Sequence, residues 1–262
     1  MRVATWNMKQ AVAPKAKLPT LWDWAAEEIA PDVAVFTEAK VPKEGVPEGW
    51  SALWIEGGIG LRRRWGTVIA GRGVSLIEVQ EVQTIRGKRS LSSTWPAIVQ
   101  VADVLVRGER WATVVGMYGI LEDEAGVKRG NGGRSARVIL QELEPLLSSS
   151  RGERLIVAGD LNLWPMDVPT QFGEVGLIDL INATVDERPP LDGCSGCGLG
   201  PRCGHMWTHA NPGGKNPSRQ QIDFIFATSG LYQDLKSVSG GIRDFPAAWS
   251  VSDHAPVVAD FI

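Results

Sequence analysis

The octapeptide Leu155-Ile156-Val157-Ala158-Gly159-Asp160-Leu161-Asn162 decides how the rest of the chain is read. Its first half is a short apolar run of the kind that forms a buried strand. Its second half is turn chemistry, so the strand stops with Asp160 and Asn162 at its end. Turn formation alone would explain one such tetrapeptide. The arrangement recurs, however. Thr5-Trp6-Asn7 closes an earlier strand-like run, Thr37-Glu38 a second and Met117-Tyr118 a third. Gln221-Ile222-Asp223 opens a later strand, and Ser252-Asp253-His254 stands before the last. Buried carboxylates at strand ends are costly unless something compensates them. Hard oxygen ligands of this kind suit magnesium or manganese. Each piece also has a plainer reading, as a capped turn, a solvated strand end or, for Asp223, a partner of Arg219.

Strand-like runs cover Val3–Trp6, Val33–Thr37, Thr67–Ala70, Ala97–Val101, Thr113–Met117, Leu155–Ala158, Ile222–Ala227 and Val257–Phe261. Leu18, Leu21, Trp22, Ala25 and Ile29 recur at helical spacing, with Pro31 just beyond. Ala136, Ile139, Leu140, Leu143 and Leu147 define a second amphipathic helix, weakened near its end by Pro145. Few helices and many strands predict two packed sheets with helices outside. No linker divides the chain, so one domain over 1–262 is expected, with a Gly-, Pro- and Cys-rich insertion loop at about 186–218.

The 262 residues are 44% hydrophobic and 22% charged, the composition of a globular domain. No signal peptide and no 18-residue apolar run is present, which predicts a cytoplasmic monomer with no membrane partner. A net charge of −3 gives no general attraction to nucleic acid, so such contact needs local basic patches. Arg62-Arg63-Arg64, the Arg86/Lys88/Arg89 cluster and Lys128/Arg129/Arg134 are candidates. Trp207 and Trp249, among 11 tryptophans, lie where they could stack on bases or pack under loops.

Taken in order, Trp6-Asn7, Glu38, Tyr118, Gly159–Asn162, Ile222-Asp223-Phe224-Ile225-Phe226 and Ser252–Pro256 resemble the endonuclease/exonuclease/phosphatase (DNase I-like) superfamily. The resemblance spans nearly the whole chain. It implies a four-layer α/β sandwich of two packed mixed sheets flanked by helices. It also implies that Asn7, Glu38 and Asp253 hold a Mg2+ or Mn2+ ion. Asp160 would then orient or deprotonate the attacking water, with Asn162 positioning it. His254 would contact the phosphate, Asp223 would hold the His254 ring and raise its pKa, and Tyr118 would donate to the phosphate or leaving oxygen. The chain departs from many members where Gly119-Ile120-Leu121, rather than Pro, Asn or His, follows the tyrosine.

Cys194, Cys197, Cys203 and His205 form a separate cluster, with His209 four residues on. Three thiolates and one imidazole match a structural Zn2+ site, His209 being an alternative fourth ligand. The competing readings are idle reduced thiols or a redox-active Cys194/Cys197 pair. The expected activity is hydrolysis of a phosphate ester, with DNA or RNA as the first choice of substrate. A phosphatase of a small phosphorylated metabolite is second, and a non-catalytic binding module using the zinc loop is third.

Overall fold

Side-chain alternation in the first strand, β1 (Arg2–Asn7), already separates two cores: Val3 faces one and Ala4 and Trp6 face the other. The protein, seen here as a computed structural model, is described at residues 1–9, 18–55, 65–121, 132–168, 172–188, 205–211 and 218–262. Further strands are β2 (Val33–Ala39), β3 (Ser51–Trp54), β4 (Gly66–Gly71), β5 (Ser75–Glu78), β6 (Glu81–Thr84), β7 (Gly87–Ser90) and β8 (Val99–Val106). They continue with β9 (Glu109–Met117), β10 (Leu155–Asp160), β11 (Ile178–Asp179), β12 (His209–Asn211), β13 (Ser218–Gln220), β14 (Asp223–Ala227), β15 (Leu235–Gly240) and β16 (Val257–Phe261).

One six-stranded sheet has the order β15-β16-β1-β2-β4-β3, the other β11-β14-β10-β9-β8-β5. Both are mixed: β1 runs parallel to β2 and antiparallel to β16, and β10 parallel to β9 and antiparallel to β14. Val3, Val35, Ile69 and Val257 of the first sheet meet Val104, Val114, Ile156 and Ile225 of the second in the central core. The outer face of the first sheet packs Phe36 and Val68 on Trp22 and Ile29, beside helix α1 (Leu18–Trp24). The outer face of the second packs Val157 and Phe226 on α2 (Gly133–Glu142) and α3 (Glu144–Leu147). The result is the four-layer α/β sandwich expected from the sequence. Strands covered on both faces explain the continuous apolar runs.

Four local expectations change. The first helix widens into a π turn at Ala25–Ile29 and stops at Ala30, whose φ of 48° is left-handed. That turn keeps Ala25 and Ile29 buried against the sheet. The second helix breaks at Leu143, because Pro145 has no N–H to continue the ladder. The run Ala97–Val101 begins as a 3-10 turn over Pro96–Ile98, and its strand starts at Val99. Within the insertion, β12 and β13 pair antiparallel, which the loop reading did not anticipate. No helix among the described residues is long and apolar enough to cross a membrane.

Candidate active site

Strand parity assembles the site. Ile156 and Ala158 point into the central core, so Asp160, two residues on, points the same way. Ile225 and Ala227 do the same for Asp223, and Val3 does so for Asn7 four residues later. Asp160 and Asp223 are direct register partners across β10 and β14. Three polar side chains from both sheets therefore meet at one end of the central layer, all buried.

Asp160 is held on both oxygens. Oδ2 accepts from Asn7 Nδ2 at 2.9 Å and Oδ1 from the Asn162 backbone N–H at 2.9 Å. Asp223 Oδ2 lies 2.8 Å from His254 Nδ1, and because a carboxylate accepts, Nδ1 carries the proton. The other nitrogen, Nε2, is 3.8 Å from Asp160 Oδ2. His254 thus stands between two buried carboxylates. Burial by itself disfavours its cation, but the charge and hydrogen bond of Asp223, with Asp160 and Asp253 adding, push its pKa up to about 9. Burial, then the charge of Asp223, raises Asp160 to about 8 against the opposing pull of His254, Asn7 and Asn162. Asp223 Oδ1 is buried with no hydrogen-bond partner, a cost that the adjacent imidazolium offsets. Asp223 pairs with His254 and not with Arg219, whose guanidinium lies over the Trp249 ring at 5.6 Å.

The turn that carries His254 is locked to β1. Ser252 Oγ donates to Asn7 O at 2.8 Å and accepts from His254 N at 3.2 Å, while Trp6 Nε1 donates to His254 O at 2.9 Å.

Glu38 reaches the site by a different route. In a regular strand it would follow Phe36 to the outer face. Instead the β2–β4 register shifts between Phe36 and Ala39, and Glu38 has a left-handed φ of 46°. Such a bulge re-aims the side chain, and Tyr118 Oη donates to Glu38 Oε1 at 3.0 Å. Burial, then the charges of Glu38 and Asp160, hold the Tyr118 pKa well above its ordinary value, so it remains a donor. Asn162 also has a left-handed φ, 50°, and its Nδ2 donates to Gly119 O at 2.8 Å. This explains the departure after the tyrosine: a Cβ on Gly119 would lie 1.9 Å from Leu161 O.

Two of the oxygen donors expected to hold a metal, Asn7 and Asp253, meet at Lys9 on the rim of the site. Asn7 Oδ1 accepts from Lys9 N at 2.9 Å, and Asp253 Oδ2 is 2.6 Å from Lys9 Nζ. Lys9 escaped the sequence reading, since a single lysine after a strand carries no pattern. Asp160, Asp223 and His254 themselves place ligand atoms within 4.8 Å of one another. A metal there would displace the Asp223–His254 hydrogen bond, so this trio is better read as a proton-handling line.

Cys194, Cys197 and Cys203 lie outside the described residues, as do Arg62-Arg63-Arg64, Lys128 and Arg129. His205 lines a cavity of about 400 Å3 together with Asp179, Phe172 and Ile181. His209 is placed elsewhere, its ring centroid 4.6 Å from that of His254 and its Nδ1 3.2 Å from Gln220 Oε1. Burial and then the His254 charge lower its pKa, so it stays neutral beside the imidazolium. Trp207 is buried.

No family model matches the chain, and no curated protein matches it by sequence. Solved structures do match. An AP endonuclease from Archaeoglobus fulgidus has a TM-score of 0.64 at 18% identity, covering 100% of this chain and 99% of its own. An AP endonuclease from Leishmania major has 0.66 at 15% identity, covering 98% and 86%. A 3′ phosphatase from Neisseria, bound to a product DNA hairpin, has 0.59 at 20% identity, covering 100% and 99%. At these identities the likeness establishes the fold, which is DNase I-like.

Proposed function

We propose that this chain is a divalent-metal-dependent phosphoesterase of the endonuclease/exonuclease/phosphatase superfamily, hydrolysing P–O bonds in nucleic acid. The observation that carries the reading is the His254 ring held between buried Asp223 and Asp160, at 2.8 and 3.8 Å. The longer gap exceeds a hydrogen bond, so Nε2–H and the Asp160 carboxylate are free to act on one reacting group.

Asn7, Glu38 and Asp253 offer only oxygen donors, and the Lys9 ammonium already rests against Asp253, so the rim favours a cation. These residues fit magnesium or manganese, and such an ion would neutralise the phosphoryl oxygens. The protein groups supply the rest. Asp160, as carboxylate, accepts a proton from the attacking water, and Asn7 and Asn162 fix its two oxygens. His254 donates from Nε2 to a non-bridging oxygen as charge builds there. Asp223 keeps the other nitrogen protonated and the ring aimed. Tyr118, held as a phenol, donates toward the phosphate or leaving oxygen. The DNA product bound to the Neisseria neighbour supports a nucleic-acid substrate for this fold.

Cys194, Cys197, Cys203 and His205 would carry a structural zinc that orders the insertion. Stoichiometric zinc in the purified protein is expected, and freely alkylated, metal-free cysteines would dismiss that site. A single-domain, cytoplasmic monomer completes the proposal.

The deciding experiment is a panel of abasic duplex, plain single- and double-stranded DNA, RNA and phosphate monoesters, each with magnesium, manganese or EDTA. EDTA-sensitive cleavage of a nucleic acid is expected, with Asp160→Asn and His254→Ala each slower by about 100-fold or more. Cleavage of monoesters alone would select a small-metabolite phosphatase. No hydrolysis of any would leave only the binding module.

A further inference from the structure

We propose that Thr208-His209-Ala210 is a clasp that aims the His254 ring, with His209 as its positioning residue. The inference deepens the phosphoesterase reading and rests on it. The clasp grips both sheets. Toward β14, Thr208 Oγ1 accepts from Ile222 N at 3.1 Å and Asp223 N at 3.3 Å, and Thr208 N donates to Gln220 O at 2.9 Å. Toward the turn before β16, Thr208 O accepts from Ala255 N at 2.6 Å and Ala210 N donates to Asp253 O at 2.9 Å. The residue between, His209, forms an isolated antiparallel bridge with His254. Such pairing sets the two side chains on the same face at short range. The rings accordingly lie 4.6 Å apart at 42°.

His209 is itself fixed. Gln220 is its register partner across β12 and β13, and Gln220 Oε1 accepts from Nδ1 at 3.2 Å. The reason for such a ring is geometric. The hydrogen bond from Nδ1 to Asp223 anchors His254 but leaves the ring able to swing about that anchor. Nε2 is the atom that meets phosphate, and a swing displaces it most. A planar side chain leaning against the His254 ring at this distance blocks the swing, so what His209 contributes is its plane and volume. Its hydrogen-bonding nitrogens serve only to hold it in place.

Two substitutions separate these roles. His209→Ala removes the plane, while His209→Phe keeps it without the nitrogens. Each variant is assayed on the oligonucleotide panel with manganese, its fold checked by circular dichroism. His209→Ala is expected to lose about tenfold or more in kcat with KM within about twofold, whereas His209→Phe stays within about threefold of wild type. A Phe variant as impaired as Ala would overturn the proposal in favour of a direct hydrogen bond to substrate, and an Ala variant with wild-type kcat would overturn it outright. If His209→Ala does not fold, His209→Gly with added free imidazole and His209→Leu replace it, with the same criteria.

A second readout needs no turnover. With only 3 histidines in the chain, the ring signals are assignable by nitrogen NMR. His254 should keep a sharp Nδ1–H signal in wild type and His209→Phe and lose it to broadening in His209→Ala; an unchanged signal in His209→Ala would refute the clasp. A wild-type enzyme inactive on the whole panel would instead remove the phosphoesterase reading, leaving the NMR result to judge the clasp alone.

Discussion

Replacing Asp223 with Asn removes the charge that keeps His254 protonated while preserving size and one hydrogen-bonding oxygen. In the native site that charge lifts His254 from 6.5 to about 9 despite burial. At about pH 7.5 the imidazolium then outnumbers the neutral ring by roughly 30 to 1. Without the Asp223 charge, burial is opposed only by Asp160 and Asp253, so the pKa falls from about 9. A return to the ordinary 6.5 would leave the cation at roughly one part in ten at the same pH and disfavour it by about 3 kcal/mol. If His254 must donate to phosphate, kcat/KM falls at least about tenfold at pH 7.5 and recovers partly as the pH is lowered. Asp160 moves the same way, since burial and then the Asp223 charge hold it near 8. Both limbs of the rate profile should therefore shift toward acid. The assay is kcat/KM measured from roughly pH 5 to 10 for wild type and Asp223→Asn. A uniform loss with an unmoved optimum would refute the reasoning, because Asp223 would then serve only as a structural strut.

Gly119→Ala should lower activity by about tenfold or more, because its Cβ would strike Leu161 O and displace Asn162; an active variant would show that the Leu161–Asn162 turn yields cheaply. Arg151→Ala should destabilise the fold by about 3 kcal/mol and leave turnover at room temperature intact. Asp103, only 8% exposed, would lose hydrogen bonds of 2.8, 3.0 and 3.1 Å from Arg151. Thermal unfolding checks this, and an unchanged Tm would mean that water replaces the arginine. In EDTA, Tm should fall as pH rises from 6.5 to 9. The native state binds the His254 proton more tightly than the unfolded chain, so that stabilisation is complete below 6.5 and lost through 9. Asp160, raised from 3.8 to about 8, acts in the same direction over its own range. Calorimetry decides it, and a Tm that climbs across this window would contradict the arrangement.

Strands β1, β10 and β14 are legible in the sequence because both of their faces are buried, which leaves unbroken apolar runs ending in Asn7, Asp160 and next to Asp223. Strands β5, β6 and β7 are not, because each has only four residues, half or more of them exposed, and β15 mixes polar with apolar positions that are mostly exposed or half-buried. Within the site, the aim of Asn7, Asp160 and Asp223 follows from alternation alone. Glu38 does not follow from it: its direction depends on a bulge that no residue type announces. The neighbourhood of Lys9 and the His209–His254 contact arise from pairings between distant segments, which leave no local trace. Pro145 broke its helix where its chemistry required, whereas the π turn at Ala25–Ile29 has no comparable signal.

The locking of the His254 turn onto β1 has a consequence for when the site comes into being. Trp6 and His254 are 248 positions apart, Asn7 and Ser252 245, and Asn7 and Asp160 153. Contacts of such separation form late, after most of the closure entropy has been overcome. While the chain is still emerging from the ribosome it carries Asn7, Glu38 and Asp160, yet it cannot bring an imidazole to them until β16 lies against β1. On the proposed phosphoesterase reading, the nascent chain is therefore inert, and hydrolysis begins only when this last strand docks.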